Sequence, residues 1–213
     1  MAKLKAGAAR RDITPRLGTH LAGSLHDRIA EDIHDSLCAK ALVLDNGECP
    51  IALVVCDLLV LLKEDADAAK QHASRLTGIH EKHIFVSCTH THTGPATVGA
   101  LGTPRDEAYM EDAMERVGES VKLAQSRLVE AEVGVASASC PGETFNRRWH
   151  MKDGTVRMNP GYQNPNAVAP AGPTDPQLLV LAVRDKERQP IALLANYSLH
   201  YVGTGLANAV SAD

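Results

Sequence analysis

Two apolar stretches facing each other across an Asn-Gly turn constrain this chain most. Leu37 to Asp45 (LCAKALVLD) alternates, Asn46-Gly47 follows, and Ile51 to Cys56 is a second apolar run. The pattern predicts a β-hairpin, with Glu48, Cys49 and Pro50 lengthening its loop. Strands joined by so short a turn run antiparallel, so the sheet they enter is mixed and not purely parallel. Upstream, Ala6 to Ile13 reads as a strand closed by Thr14-Pro15, and residues 16 to 35 read as a loop.

Helical and strand periods alternate after the hairpin. Residues 63 to 76 place Ala66, Ala69, Ala73 and Leu76 at helical spacing, with Glu64, Asp65 and Asp67 early and Arg75 late, the charge order a helix dipole favours. Ile84 to Cys88 (IFVSC) reads as a short strand. The clearest helix lies over about 106 to 128, where Met110, Ala113, Met114, Val117, Val121, Ala124 and Leu128 share one face. Val133 to Ala138, Leu178 to Arg184 and Ile191 to Tyr197 read as strands. Residues 139 to 176 hold six prolines and predict a long loop with at most a short hairpin at Asp153-Gly154; 198 to 213 predict an irregular tail. The expected fold class is α/β: mixed β-sheet layers flanked by helices, in a single domain over 1 to 213.

Bulk composition excludes several function classes. Lys plus Arg is 22 against 26 for Asp plus Glu, a net charge of −4, and no basic run exceeds a pair or two, such as Arg147-Arg148. A nucleic-acid partner needs a concentrated basic surface, so none is expected. The longest apolar stretch, Ile51 to Leu62, is interrupted by Asp57 and is too short to cross a bilayer. Met1 to Arg11 lacks the apolar core of a secretory signal. The 5 cysteines include no C-x-x-C pair, and an odd number argues for reduced thiols and a cytoplasmic setting. Aromatics are 3% of residues and histidines number 10, so the core must be aliphatic and the polar chemistry leans on imidazole.

The sharpest local signal is Cys88-Thr89-His90-Thr91-His92-Thr93-Gly94-Pro95, directly after a strand. Strand ends deliver side chains to the rim of an α/β sheet, where ligands bind. Two His at i and i+2 in an extended segment project to one side, and neutral imidazole is the commonest zinc ligand. A catalytic zinc takes three protein ligands and an open position, so this pair is insufficient alone. His200, past the strand Ile191 to Ala195, occupies the same kind of strand exit and could converge on the same ion; it could equally be a lone surface His. Asn146-Arg147-Arg148 offers a carboxylate or oxyanion contact, or a solvated pair. Asp57 could orient a ligand His or cap a turn. Cys88 ends an apolar strand and reads first as a buried thiol, with nucleophilic use as the alternative.

Taken in order, these pieces look familiar. Ala8-Ala9-Arg10-Arg11-Asp12-Ile13-Thr14-Pro15, Ala41-Leu42-Val43-Leu44-Asp45, Val54-Val55-Cys56-Asp57, the His90-Thr91-His92-Thr93-Gly94-Pro95 segment, Asn146-Arg147-Arg148 and Asn196-Tyr197-Ser198-Leu199-His200 follow one another along the chain. The sequence resembles the N-terminal part of the neutral/alkaline non-lysosomal ceramidase family, including its shorter bacterial relatives. The resemblance implies a zinc-dependent hydrolase of an amide bond in a small-molecule or lipid N-acyl substrate, in sphingolipid metabolism for the true ceramidases. It implies that His90 and His200 are zinc ligands, that His92 contacts substrate or water, and that Arg147 is a substrate or oxyanion contact. The family's remaining ligands, a Glu and a Tyr, have no matching positions in this chain, which implies a truncated N-terminal half of a larger catalytic domain. Two other readings stay open: an inactive α/β module with an incomplete metal site, and a thiol hydrolase using Cys88.

Overall fold

The structure is a computed structural model and describes residues 3–202 and 208–212. Its chain divides into two compact units, one of Met1–Val133, Val183–Ala192 and Tyr201–Asp213, the other of Gly134–Ala182 and Leu193–His200. In chain order the elements are β1 (Lys5–Asp12), β2 (Asp32–Ile33), β3 (Cys38–Asp45), β4 (Ile51–Cys56), α1 (Lys63–Thr77), β5 (Ile84–Cys88) and α2 (Glu107–Gln125). There follow β6 (Val129–Ser139), β7 (Arg148–Met151), β8 (Val156–Met158), β9 (Ala167–Pro170), β10 (Gln177–Asp185), β11 (Pro190–Tyr197) and β12 (Ala209–Val210). The main sheet has the order β11-β10-β6-β1-β3-β4-β5. The fold class is therefore the mixed α/β one expected from the sequence.

The hairpin signal holds. β3 and β4 pair antiparallel from Leu44↔Ile51 to Ala39↔Cys56. Asn46 builds the turn: its side-chain oxygen accepts from the backbone N–H of Glu48 (3.1 Å) and of Cys49 (2.8 Å). β1 lies antiparallel on the other side of β3. β5 joins β4 in parallel, Cys56↔Cys88, and α1 lies between the two in sequence. A parallel pair needs such a crossover, and its consequence is positional: β4 and β5 end at the same edge.

Small aliphatic side chains fill the first unit. α1 and α2 pack on each other, and α2 packs on β1 and β3. The face of α2 expected from its period is the buried one, with Met110, Ala113, Met114, Val117, Val121 and Ala124 all enclosed. Leu128 falls beyond the helix, half-buried. Opposite α2 lie Ala9, Ala41, Val43 and Val54. Alanine and glycine let backbones approach closely: a Cβ on Gly7 of β1 would sit 2.2 Å from the Ala124 carbonyl oxygen. In α1 the buried residues are Asp65, Ala69 and Ala73. Asp65 is enclosed because Arg105 grips it with two bonds (2.7 and 2.8 Å) and also donates to the Thr97 carbonyl at 2.9 Å.

The second unit corrects the long-loop expectation. Residues 139 to 176 contain a three-stranded sheet of order β8-β7-β9. The hairpin at Asp153-Gly154 is present between β7 and β8, and β9 pairs with β7 through an irregularity at His150/Met151. Three- and four-residue strands, mostly exposed, leave little alternation to read. The expected irregular tail also contains β12, which pairs in parallel with β2; residues 203–207 and Asp213 lie outside the described residues. Among the described residues no helix is long and apolar enough to cross a membrane. All 5 cysteines are free thiols.

Candidate functional site

The shared edge of β4 and β5 carries the His90 loop. Leaving β4 and β5 together, the two chains stay laced by backbone bonds: Thr89 N–H donates to the Cys56 carbonyl (2.9 Å) and His90 N–H to the Leu58 carbonyl (3.0 Å). His90 has φ +70°, a left-handed conformation uncommon for a residue with a side chain. The expectation that His90 and His92 face one way through an extended segment is therefore wrong in its cause. A left-handed kink at His90, and not the pleat of a strand, brings the rings edge-to-face with centroids 5.0 Å apart.

Each ring is held through the same atom. His90 Nδ1 lies 2.8 Å from the Leu59 carbonyl oxygen, and His92 Nδ1 lies 2.7 Å from the Gly23 carbonyl oxygen. A carbonyl only accepts, so each Nδ1 donates, and in the neutral imidazole Nε2 then carries the lone pair. That is the tautomer in which a second-shell carbonyl holds a metal-ligating or proton-accepting His.

The loop over residues 18 to 30 wraps His92. Ala22 N–H donates to the Gly94 carbonyl (3.0 Å) and Ala96 N–H to the His20 carbonyl (2.8 Å). Gly23 has φ +92°, and a Cβ there would lie 2.7 Å from His92 Cα and 2.8 Å from its Cβ and Cγ. Arg28 donates from one guanidinium nitrogen to the carbonyls of Ala22 (2.9 Å) and His92 (2.5 Å). Gly23 and Arg28 are parts of the site that sequence reasoning missed; both sat in a stretch legible only as a polar loop. Below the rings, the hydroxyls of Thr91 and Thr93 are buried and donate to the Ser211 carbonyl at 2.7 and 3.0 Å.

The other candidates divide. Asp57 braces the neighbouring strand and not a turn of its own: its buried carboxylate accepts from Cys38 N–H (3.0 Å) and Lys40 Nζ (2.7 and 2.8 Å), both in β3. Cys88 is half-buried, and burial pushes its thiol up to about 12. Arg147 and His200 belong to the second unit and are both exposed. Arg147 leads into β7, where its carbonyl accepts from Asn159 N–H (2.8 Å) and Asn146 Oδ1 accepts from Arg148 N–H (2.9 Å). His200 follows β11 after a turn in which Leu199 N–H donates to the Tyr197 carbonyl (2.9 Å). Grooves of about 430 and 370 Å³ lie along α1 and α2, lined by other residues than His90 and His92.

No family model matches this chain, and no curated protein matches it. Solved structures do. A ceramidase complexed with C2 superposes with a TM-score of 0.76 at 19% identity, and neutral ceramidase from Pseudomonas aeruginosa with 0.75 at 18%. The chain has the fold of a ceramidase segment. All of it (100%) is covered in both comparisons, while it spans 34% of each matched structure, about a third of their length.

Proposed function

We infer that this chain carries the histidine part of a zinc-dependent amide-hydrolase site of the ceramidase kind. The observation that carries the reading is the pair of Nδ1–H bonds from His90 and His92 to main-chain carbonyls, which leaves Nε2 as the donor atom on each ring. That donor chemistry fits zinc. In this reading His90 and His200 are the protein ligands. When bound, zinc supplies Lewis acidity toward a carbonyl and acidifies water. His92, held in the same tautomer, accepts the proton of the attacking water at Nε2 and returns it to the leaving amine. Arg147 offsets the negative charge that develops on the carbonyl oxygen. The substrate class is an N-acyl amide, supported by the likeness to ceramidase structures.

The other reading is an inert α/β module, which binds metal without turnover. The thiol reading has lost its support, because a thiol raised to about 12 is a poor source of thiolate near neutrality.

Zinc content by mass spectrometry, with hydrolysis of short N-acyl amides, tests the proposal on the unmodified protein, His90→Ala and His200→Ala. Loss of bound zinc in both variants is expected. Unchanged zinc in both refutes the ligand assignment. Zinc bound without hydrolysis selects the inert module.

A further inference from the structure

We propose that Asp35 is a positioning residue for the His90–His92 loop, acting through the chain segment at Ser211. It rests on the reading of His90 and His92 as the site, and extends it to residues far from either ring in sequence.

Two donors and an imidazole nitrogen converge on the Asp35 carboxylate. Ser211 Oγ donates to Oδ2 at 2.6 Å, Ala212 N–H to Oδ1 at 2.8 Å, and His34 Nδ1 lies 2.8 Å from Oδ2. The ionised group accepts from Ser211 and Ala212, and from His34 in the tautomer with the proton on Nδ1. Ser211 in turn is bonded to the site loop through its main chain. Its N–H donates to the Thr93 carbonyl at 3.1 Å, and its carbonyl takes the hydroxyls of Thr91 and Thr93. Those two threonines flank His92, and Thr91 follows the kink at His90. Thr91, Thr93 and Ser211 are 1%, 4% and 2% exposed, so these bonds have no water to replace them.

The clamp adds side-chain bonds to those of the backbone. β2 and β12 pair over two residues each, Asp32 with Ala209 and Ile33 with Val210. Main-chain bonds continue on either side of this ladder, from Glu31 N–H to the Asn208 carbonyl (2.8 Å) and from His34 N–H to the Val210 carbonyl (2.9 Å). Asp35 stands two residues beyond β2, and Ser211 is the first residue beyond β12. The carboxylate ties Ser211 and Ala212 at a set step, and the Ser211 carbonyl then meets both threonine hydroxyls. Slippage by one residue would present a different carbonyl to Thr91 and Thr93 and release the loop that carries the rings.

Hydrogen–deuterium exchange on the whole chain tests this with Asp35→Asn and Ser211→Ala, reading residues 89–95 and 208–212 against α2. Asp35→Asn keeps the size and removes the charge; Ser211→Ala removes one donor and keeps the main-chain bonds. Faster exchange at both segments by about ten-fold is expected in Asp35→Asn, the factor one charge-assisted bond is worth, with a smaller rise in Ser211→Ala and none in α2. Zinc binding by calorimetry is expected to weaken about ten-fold in Asp35→Asn, at the lower end for groups outside the ligand shell. Unchanged exchange at 89–95 in Asp35→Asn overturns the proposal, and so does an equal rise in α2 in both variants, which marks a merely structural role. If the unmodified chain binds no zinc, the metal reading fails, while exchange at 89–95 still decides the positioning role.

Discussion

Gly23→Ala isolates the contact that seats His92. Two costs add at this position. The first is conformational: φ is +92°, and an L side chain in the left-handed region costs about 1–2 kcal/mol. The second is steric. The new methyl would lie 2.7 Å from His92 Cα, a backbone atom tied through its neighbours, and 2.8 Å from its Cβ and Cγ. Forcing a methyl into a filled space adds about 1–3 kcal/mol. The expected total is about 2–5 kcal/mol.

Gly18→Ala is the control. It has φ +85°, lies in the same loop, and meets nothing within 4 Å, so it bears the conformational cost alone, about 1–2 kcal/mol. Urea unfolding of the two variants and the unmodified chain reads both midpoints, and the difference between the variants is the His92 contact. The His92 Nδ1–H resonance, which the Gly23 carbonyl holds in place, should shift in Gly23→Ala and stay in Gly18→Ala. Equal midpoints for the two variants would refute the seating of His92 over Gly23.

Other expectations follow from the same geometry. Asp57→Ala leaves the Cys38 N–H buried without its acceptor and should lower stability by about 1–3 kcal/mol in thermal melts, with zinc content unchanged. Asp35 and Asp106 both titrate below the usual 3.8: burial opposes this, but donors from Ser211, His34 and Ala212 outweigh it at Asp35, and Thr19 and Tyr109 N–H do so at Asp106. Their folded values are depressed, so their stabilisation is fully present above about pH 4 and is lost as pH falls through the folded values. Acid unfolding of Asp35→Asn should therefore show a shallower slope below pH about 4 than the unmodified chain. With a thiol-reactive dye at pH about 8, exposed Cys49 should label first and Cys56 not at all in the folded chain, because burial pushes the Cys56 thiol up. Labelling of Cys56 at the rate of Cys49 would contradict its enclosure between sheet and helices.

The sequence exposed what short-range pattern controls. The β3–β4 hairpin was legible because Asn46 makes its own turn with residues two and three ahead. The buried face of α2 was legible because its apolar residues repeat at the helical period. Asp65 was legible only as a first-turn charge, since its partner Arg105 lies 40 residues on. β2 was hidden because its partner β12 stands at the other end of the chain. The His-Thr-His-Thr-Gly-Pro segment at the end of β5 was legible as a strand exit, but not the left-handed residue at His90.

The candidate site divides along the same line. Imidazoles are conspicuous letters, and a strand followed by His-Thr-His-Thr-Gly-Pro gave His90 and His92 directly. What gives those rings their chemistry is the choice of tautomer, and that choice is made by the carbonyls of Leu59 and Gly23. Every residue has a carbonyl, so no letter in the sequence marks the two that matter. The same is true of the Ser211 carbonyl beneath Thr91 and Thr93. Side-chain identity can therefore change at Leu59 with the Nδ1 acceptor intact, and Leu59→Ala should leave zinc binding within about two-fold of the unmodified chain, well short of the ten-fold or greater loss that follows when a ligand's partner is removed. At Gly23 the side chain is the obstacle and the carbonyl the function, so the substitution that adds one methyl there should cost more than the one that removes three carbons at Leu59. A larger effect from Leu59→Ala than from Gly23→Ala on the His90 and His92 resonances would mean that packing, and not the main-chain acceptors, sets the rings.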